Sequence, residues 1–445
     1  MITFQDFEKN RDLIEIINSY RFSQDYLNMV DSNKYYLGEN TKILNRLNWF
    51  FNSLGEKEID KFKANNKTPC DFYKKIVKQE VQYLLGNGVT MDSDVKTELG
   101  KNIDLLLQRT GLNARIDGVS WAYCYIDKRG KFQIANFKAT EFVPLLDERT
   151  GIIRAGIRFY QIDIEKPIYV ELYEEDGISV YKMIDNKIEE IEPKKAYKIK
   201  IKRDILGLEK IEENWTMLPI IPLWGDETHK TTLTSSLKNK IDLYDIILSD
   251  FGNNLEDNND IYWVLKNYEG QDIGEFLADY KYFKTIRVDD EGEAKAETME
   301  TPFQARQVAL DILRTQIYED SMALDMKTLT GSSLTNVAIN SAKTDLDLKT
   351  DEFEWQCIEF VENLLALYEE YKGNIKNSDI KFIRRTITND TEIIDNIYKM
   401  RQDIDHRTAL QLNPYIESKE VDNIIKEIDK ENEVIYNNVK SSSRD

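Results

Sequence analysis

The sequence predicts an α+β fold in which helices and antiparallel strands occupy separate stretches of chain. Two observations carry this expectation. Apolar residues recur at helical spacing through about the first 110 residues, and from about Gly118 they alternate singly instead. Helical spacing then returns from Ser235 and dominates the rest. At 445 residues the chain suffices for about three ordinary domains, and its 41% hydrophobic and 11% aromatic content can fill substantial cores.

The elements follow in order. Asn65-Asn66-Lys67-Thr68-Pro69-Cys70-Asp71 reads as a helix start, with Thr68 as cap and Pro69 in the first turn. The stripe Phe72, Ile76, Val77, Val81, Leu84 follows, and Gly86 closes it. Short alternating runs then read as strands: 120–126, 132–137, 152–162, 168–173 and 178–183, separated by turn clusters such as Asp127-Lys128-Arg129-Gly130. Lys198-Ile199-Lys200-Ile201-Lys202 alternates throughout, a strand with one solvated lysine face.

A long helix begins near Ser235, with Leu237, Ile241, Tyr244, Leu248, Phe251 and Leu255 at alternating steps of four and three. Residues 257–300 hold 12 Asp or Glu against 5 Lys or Arg, a net of −7, and read as strand, helix, strand at 261–265, 273–282 and 285–288. Thr301-Pro302 opens a second helix to about Leu324. This is a helical hairpin with an acidic head. Residues 325–340, DMKTLTGSSLTNVAIN, then interrupt helical periodicity with a polar stretch too long for a bare connector. A further helix carries Leu346, Phe353, Cys357, Phe360, Leu364, Leu367 and Tyr371, before a strand at 379–387 and a helical tail.

The chemistry of enzymes is absent from this pattern. His229 and His406 stand apart from other ligand residues, and no H-E-x-x-H, paired C-x-x-C, G-x-x-x-x-G-K-[ST] or G-x-S-x-G occurs. Leu85-Gly86-Asn87-Gly88 reads as a helix stop and Asp289-Asp290-Glu291 as a solvated turn. No catalytic residue, metal site or cofactor is expected. The three cysteines, Cys70, Cys124 and Cys357, read as reduced thiols of an intracellular protein. The N-terminus lacks the pattern of a signal peptide, and apolar runs such as Leu218–Trp224 are too short to span a bilayer. A formal charge of −20 argues against gripping nucleic acid on a broad basic face. It leaves room for a protein that encloses DNA without holding it.

The order of motifs resembles the bacteriophage portal proteins, the head-to-tail connectors of tailed phages of Gram-positive bacteria. Tyr35-Tyr36-Leu37-Gly38 leads to Ile43-Leu44-Asn45-Arg46, as in that family's N-terminal segment. Asn65-Asn66-Lys67 precedes a helix ending in Tyr83-Leu84-Leu85-Gly86. Ile221-Pro222-Leu223 stands before the first hairpin helix, and Asn253-Asn254-Leu255-Glu256-Asp257 forms its exit. The chain departs from many relatives at Thr335-Asn336-Val337-Ala338-Ile339 and in its short C-terminal tail.

The resemblance implies a ring-forming fold: a mixed α/β wing (1–235), a first stem helix (236–257), a small α/β clip (258–301) and a second stem helix (302–324). A tunnel loop (325–340), a long wing helix with a strand (341–388) and a helical crown and tail (389–445) would follow. It implies a homo-oligomeric, dodecameric ring at one capsid vertex, through which a terminase motor packages the genome and from which it is later ejected. Lys327, Thr328, Thr330, Gly331, Ser332, Ser333, Thr335 and Asn336 would line the DNA channel. The seam from Leu237 to Leu255 would pack between stem helices, and Glu269, Asp272, Glu275 and Asp279 of the clip would face partners. Those partners are the terminase, head-completion or adaptor proteins, the scaffold and major capsid protein, and double-stranded DNA read without sequence specificity; no membrane is involved. The protein would reside in the host cytoplasm before assembly and in the virion afterwards. The competing readings are a DNA-packaging enzyme, terminase or nuclease, and a non-viral cytosolic scaffold. The enzyme reading needs a nucleotide loop or paired carboxylates, and neither is present.

Overall fold

The alternation from Gly118 onward becomes antiparallel sheet in the computed structural model, which confirms a mixed α and β chain. The structure describes residues 3–51, 54–61, 63–100, 102–185, 187–204, 207–257, 262–266, 293–297, 303–329, 335–373, 379–385, 390–400, 404–416, 420–428 and 430. Contacts divide the chain into two units. The first holds Met1–Ala323 and Lys349–Arg384, and the second holds Leu324–Leu348 and Arg385–Asp445.

The first unit opens with α1 (Phe4–Lys9), α2 (Leu13–Arg21), α3 (Gln24–Tyr36), α4 (Thr41–Leu44) and the hairpin β1 (Trp49–Phe51) and β2 (Lys57–Ile59). It continues through α5 (Phe72–Leu85), β3 (Val89–Thr90), α6 (Ser93–Leu99) and α7 (Ile103–Asp117). Side chains cap the early helices as the composition favours. Asp12 accepts from the amides of Ile14 and Glu15, and Ser23 from that of Tyr26. The start expected at Thr68 differs: α5 begins at Phe72, and Thr68 gives its amide to Ser249 instead. Gly86 closes the helix as expected.

The five strands expected between Ser120 and Met183 are all present, with β6 (Phe142–Leu146) between the second and third. The series runs β4 (Val119–Ile126), β5 (Phe132–Lys138), β6, β7 (Ile153–Gln161), β8 (Ile168–Glu174), β9 (Gly177–Ile184) and β10 (Lys187–Lys195). The hairpin β11 (Lys198–Asp204) and β12 (Gly207–Glu213) follows, then β13 (Ile220–Trp224). Strands β6 to β10 form one antiparallel meander, and β13, β4 and β5 form a three-stranded sheet. Phe7, Leu13, Ile16 and Ile17 of α1 and α2 pack against Val143, Ala155, Ile157, Val170 and Leu172 of the meander. Lys198 is not the solvated lysine expected. It is buried, pairs with Glu370 at 2.6 Å and lies 4.4 Å over the Trp215 ring.

Two long helices, α8 (Ser235–Asp257) and α9 (Phe303–Asp320), pack on each other, with the hairpin β14 (Tyr262–Lys266) and β15 (Glu293–Glu297) between them in sequence. The first expected clip strand coincides with β14. Its partner is Glu293–Glu297, whereas the expected helix at 273–282 and strand at 285–288 lie outside the described residues. α9 stops at Asp320, four residues before the expected end. A 3₁₀ turn, Met326–Leu329, precedes α10 (Asn336–Ala342) and α11 (Thr344–Lys372), so helix resumes inside the segment read as loop. The strand expected at 379–387 shrinks to β16 (Lys381–Phe382), which pairs with β3, and α12 (Asp390–Met400) follows.

The largest core gathers α5, α7, the three-stranded sheet, α8, the end of α9 and the Phe353–Tyr368 stretch of α11. Gly118 is the joint between α7 and that sheet. Its φ is +88°, and a Cβ would lie 2.7 Å from the backbone of Lys230. Gly118→Ala combines left-handed strain with a backbone collision, and we expect a loss of about 2 kcal/mol or more, read as a lowered urea midpoint.

Candidate functional site

α8 carries an apolar stripe and a polar one. On the apolar side Leu237 and Ile241 are buried in the chain's own core, and Tyr244 meets Phe72 edge-on at 4.8 Å. Phe251 meets Phe303 of α9 at 5.4 Å, Leu248 is half-buried, and Leu255 is exposed. The N-terminal half of the seam therefore packs within the chain.

Asp242, Asp245, Ser249 and Asn253 form the second stripe, at steps of three and four, and all four are buried. The segment before α5 supplies their partners. The Tyr35 hydroxyl donates to Asp242, and Asn40 Nδ2 donates to Asp245 at 2.7 Å. The Cys70 amide donates to Asp245 at 3.0 Å, and the Thr68 amide to Ser249 Oγ at 3.0 Å. The Asn66 amide donates to Asn253 Oδ1 at 2.6 Å, and Asn253 Nδ2 donates to the Asn66 carbonyl at 3.3 Å. Beside them Arg46 grips Asp250 with both terminal nitrogens, at 2.8 and 3.1 Å. Tyr35, Arg46 and Asn66 among these partners belong to the motifs of the N-terminal segment.

Burial raises the Asp245 carboxyl to about 6, against the bonds from Asn40 and Cys70 that lower it. Burial likewise raises Asp117, beneath Asn33, to about 7. The polar stripe was readable as spacing alone, since polar residues repeat at the same steps as the apolar seam. Nothing in the sequence marked which of them would be buried.

A second constellation ties the end of α9 to α11. The buried Glu80 carboxylate meets Arg115 at 2.9 Å and Lys349 Nζ at 2.8 Å, both also buried. Lys349 donates as well to the Ser321 carbonyl at 3.0 Å, and Arg115 sits over the Phe353 ring at 5.5 Å. Asp226 lies 3.9 Å from Arg115, which balances two acids with two bases. The chain leaves the first unit after Ala323 and returns at Lys349. Exit and return are thus tied through one lysine.

Between them lie the residues expected to line a channel. Lys327 and Thr328 are exposed on the 3₁₀ turn, where Asp325 accepts from the Thr328 amide and hydroxyl at 2.9 and 2.7 Å. Thr335 is exposed and caps α10 by accepting from the Ala338 amide. The Asn336 amide donates to Glu392 of α12 at 2.5 Å, inside the second unit. Thr330, Gly331, Ser332 and Ser333 lie outside the described residues, as do Glu269, Asp272, Glu275 and Asp279. Among the described residues no group of three metal-ligating side chains occurs, and no helix is long and apolar enough to cross a membrane.

Comparison with known proteins gives the family. The model of the family "Phage portal protein, SPP1 Gp6-like" matches residues 19–434. The chain belongs to that family. It is 27% identical to the portal protein of Bacillus phage SPP1 over 409 residues, covering 87% of this chain and 80% of that one. The portal protein of Clostridium phage phiCD119 is 25% identical over 396 residues, covering 80% of this chain and 83% of its own. Among solved structures, a chain from the neck of an empty GTA particle aligns with a TM-score of 0.42 at 10% identity, over 77% of this chain and 90% of that one. Like its family, the protein is a structural connector and not an enzyme. It acts as a portal protein in the phage head, at the capsid vertex, as part of a homo-oligomeric ring.

Removing Asp245 leaves two buried donors unsatisfied. Asp245→Ala is expected to cost about 1–3 kcal/mol in urea unfolding, and Asp245→Asn less. The two carboxyls also set a pH dependence. Unfolded, each loses its proton near 3.8; folded, Asp245 keeps it to about 6 and Asp117 to about 7. Over that window the native state binds more protons, so their contribution to stability falls as pH rises. The stability difference between Asp245→Asn and wild type should therefore shift in the variant's favour between pH 4.5 and 7.5. In the second constellation Lys349→Met strands the Glu80 charge beside one arginine, an expected loss of about 3–5 kcal/mol, and adding Glu80→Gln should recover part of it.

Proposed function

We propose that twelve copies close into a ring whose stem helices are α8 and α9, and whose axis carries the DNA. Residues 325–340 reach the channel as the tunnel loop, residues 258–301 form the clip, and the C-terminal helices form the crown. The clip faces the terminase motor during packaging and head-completion or adaptor proteins afterwards, through Glu269, Asp272, Glu275 and Asp279. Scaffold and major capsid proteins receive the ring in the host cytoplasm, before it becomes part of the virion. In the seam, Leu248 and Leu255 keep the role of packing between neighbouring stems, since Leu237 and Ile241 already serve the subunit's own core.

The observation that carries this reading is the tied exit and return of the chain around residues 324–348. An arm held at its base by Lys349 and Ser321 can extend without disturbing the core beneath it. Its chemistry suits a conduit. Lys327 is the single basic residue of 325–340, and hydroxyl and amide side chains predominate. Contacts repeated twelve times around a polyanion must be weak, because each added cation binds phosphate and raises the salt needed for release. The strongly acidic subunit adds to that lubrication.

Class averages of the purified protein by electron microscopy test the ring, with a central hole about the width of duplex DNA as the expected result. The loop assignment has its own test. Thr328→Arg combined with Thr335→Arg should leave ring formation intact and reduce DNA-filled heads at least tenfold in a packaging assay. Unchanged filling would remove these residues from the channel wall.

A further inference from the structure

The hairpin of β1 and β2 is paired with no further strand among the described residues, and its apolar face is open. Trp49 stands opposite Ile59, and Phe51 opposite Lys57, so these four side chains share one face, while Phe50 and Glu58 point the other way. Trp49 is 47% exposed, Phe51 73% and Ile59 43%. Lys57 lies 4.6 Å over the Trp49 ring, which gives the face one positive charge and no acid. Two strands alone are marginal in water, and an aromatic face of this kind needs a cover.

The hairpin is firmly rooted. Arg46 on its entering side holds Asp250 of α8, and Asn66 on its leaving side holds Asn253. Asn48 Nδ2 bonds the Ala64 carbonyl at 2.9 Å across the base. α9 lies against another side of the same helix, through Phe251 on Phe303 and Lys240 on Asp320. At 100° per residue, Asn253 stands about 160° from Phe251 around α8 and about 140° from Lys240. Asp250, the other anchor, stands about 100° from Phe251 and about 80° from Lys240, so hairpin and α9 occupy different flanks of α8.

The outer face of α9 complements the hairpin. Val308 and Ile312 are 55% and 51% exposed, one turn apart, along a shallow groove that also holds Asp311 and Glu319. Arg306 donates to the Asp250 carbonyl, Arg314 lies over the Tyr318 ring, and Asp311 accepts from Gln307 Nε2 at 3.1 Å. One face is therefore aromatic with a lysine, and the other aliphatic with two carboxylates.

We propose that the β1–β2 hairpin of one subunit docks its Trp49, Phe51 and Ile59 face onto the Val308–Ile312 face of α9 in a second copy of this chain, with Lys57 toward Asp311 and Glu319. The two faces differ and lie on different elements, so each subunit gives one and receives the other. Such a heterologous contact repeats head to tail and closes on rotation, which is what a ring requires. The inference rests on the ring reading above and names the surface that carries it.

Disulfide trapping in the full chain tests this directly. Phe51→Cys with Ile312→Cys in one chain, assembled and then oxidised, is expected to give a covalent ladder on a non-reducing gel. An equal mixture of the two single variants should stop at dimers, and the wild type, with its own three cysteines, should stay monomeric on the gel. Phe51→Asp and Ile312→Asp, both at exposed positions, should each raise the concentration for half-assembly at least tenfold, while monomer urea midpoints stay unchanged. Rings in micrographs without a ladder, or aspartate variants that assemble like wild type, would overturn the hairpin contact and leave the ring standing. If the wild type forms no ring, alone or with its shell proteins, both readings fall together.

Discussion

The buried polar face of α8 is the constraint on which the rest of the subunit depends. An apolar seam alone would let a 23-residue helix rotate or slide by a turn with little penalty, because Leu and Ile substitute for one another in a core. Asp242, Asp245, Ser249 and Asn253 remove that freedom. Each meets a particular donor or acceptor from Tyr35, Asn40, Asn66, Thr68 or Cys70, and a slip of one turn would leave several of them buried and unpaired. Rotation of α8 fixes the flank on which α9 lies, and through α9 the point where the chain leaves toward the loop. In an assembly built by repetition, an error in that rotation would repeat in every copy.

Charge is organised by the same logic of position. The subunit is strongly acidic, yet several bases in its first unit are paired with acids: Arg115 and Lys349 on Glu80, Lys198 on Glu370, Arg158 on Glu171. A cation engaged in this way contributes little to phosphate binding, so positive charge can serve packing without making the surface adhesive. Sequence counts gave the net charge and its sign. They could not show that Lys198, one of three alternating lysines, lies over the Trp215 ring and not in solvent.

Local chemistry was largely legible. Strand runs from Ser120 to Met183 were visible because alternation reports a half-buried sheet, and the helix from Ser235 because its apolar steps held for six residues. What failed were the readings where a tertiary partner overrides a local rule. Thr68 and Pro69 have the chemistry of a helix start, but the Thr68 amide is claimed by Ser249, far away in sequence, and α5 waits until Phe72. Thr335 was read as a loop residue, and it is a cap, with α10 beginning one residue later. The clamp of Glu80, Arg115 and Lys349 joins three helices, and no spacing in the sequence links its members.

The exit from α9 shows how firmly that clamp and the backbone act together. Ala323 donates to the Tyr318 carbonyl and Met322 to that of Glu319, the paired bonds of a helix end that turns through a left-handed residue. That residue is commonly glycine, yet here Met322 takes it at φ +51°, a conformation costing a side-chain-bearing residue about 1–2 kcal/mol. Lys349 grips the carbonyl of the residue just before it. Strain of this kind persists where the surroundings over-determine the backbone. The backbone at the end of α9 is therefore held by Lys349 and by the helix-end bonds together.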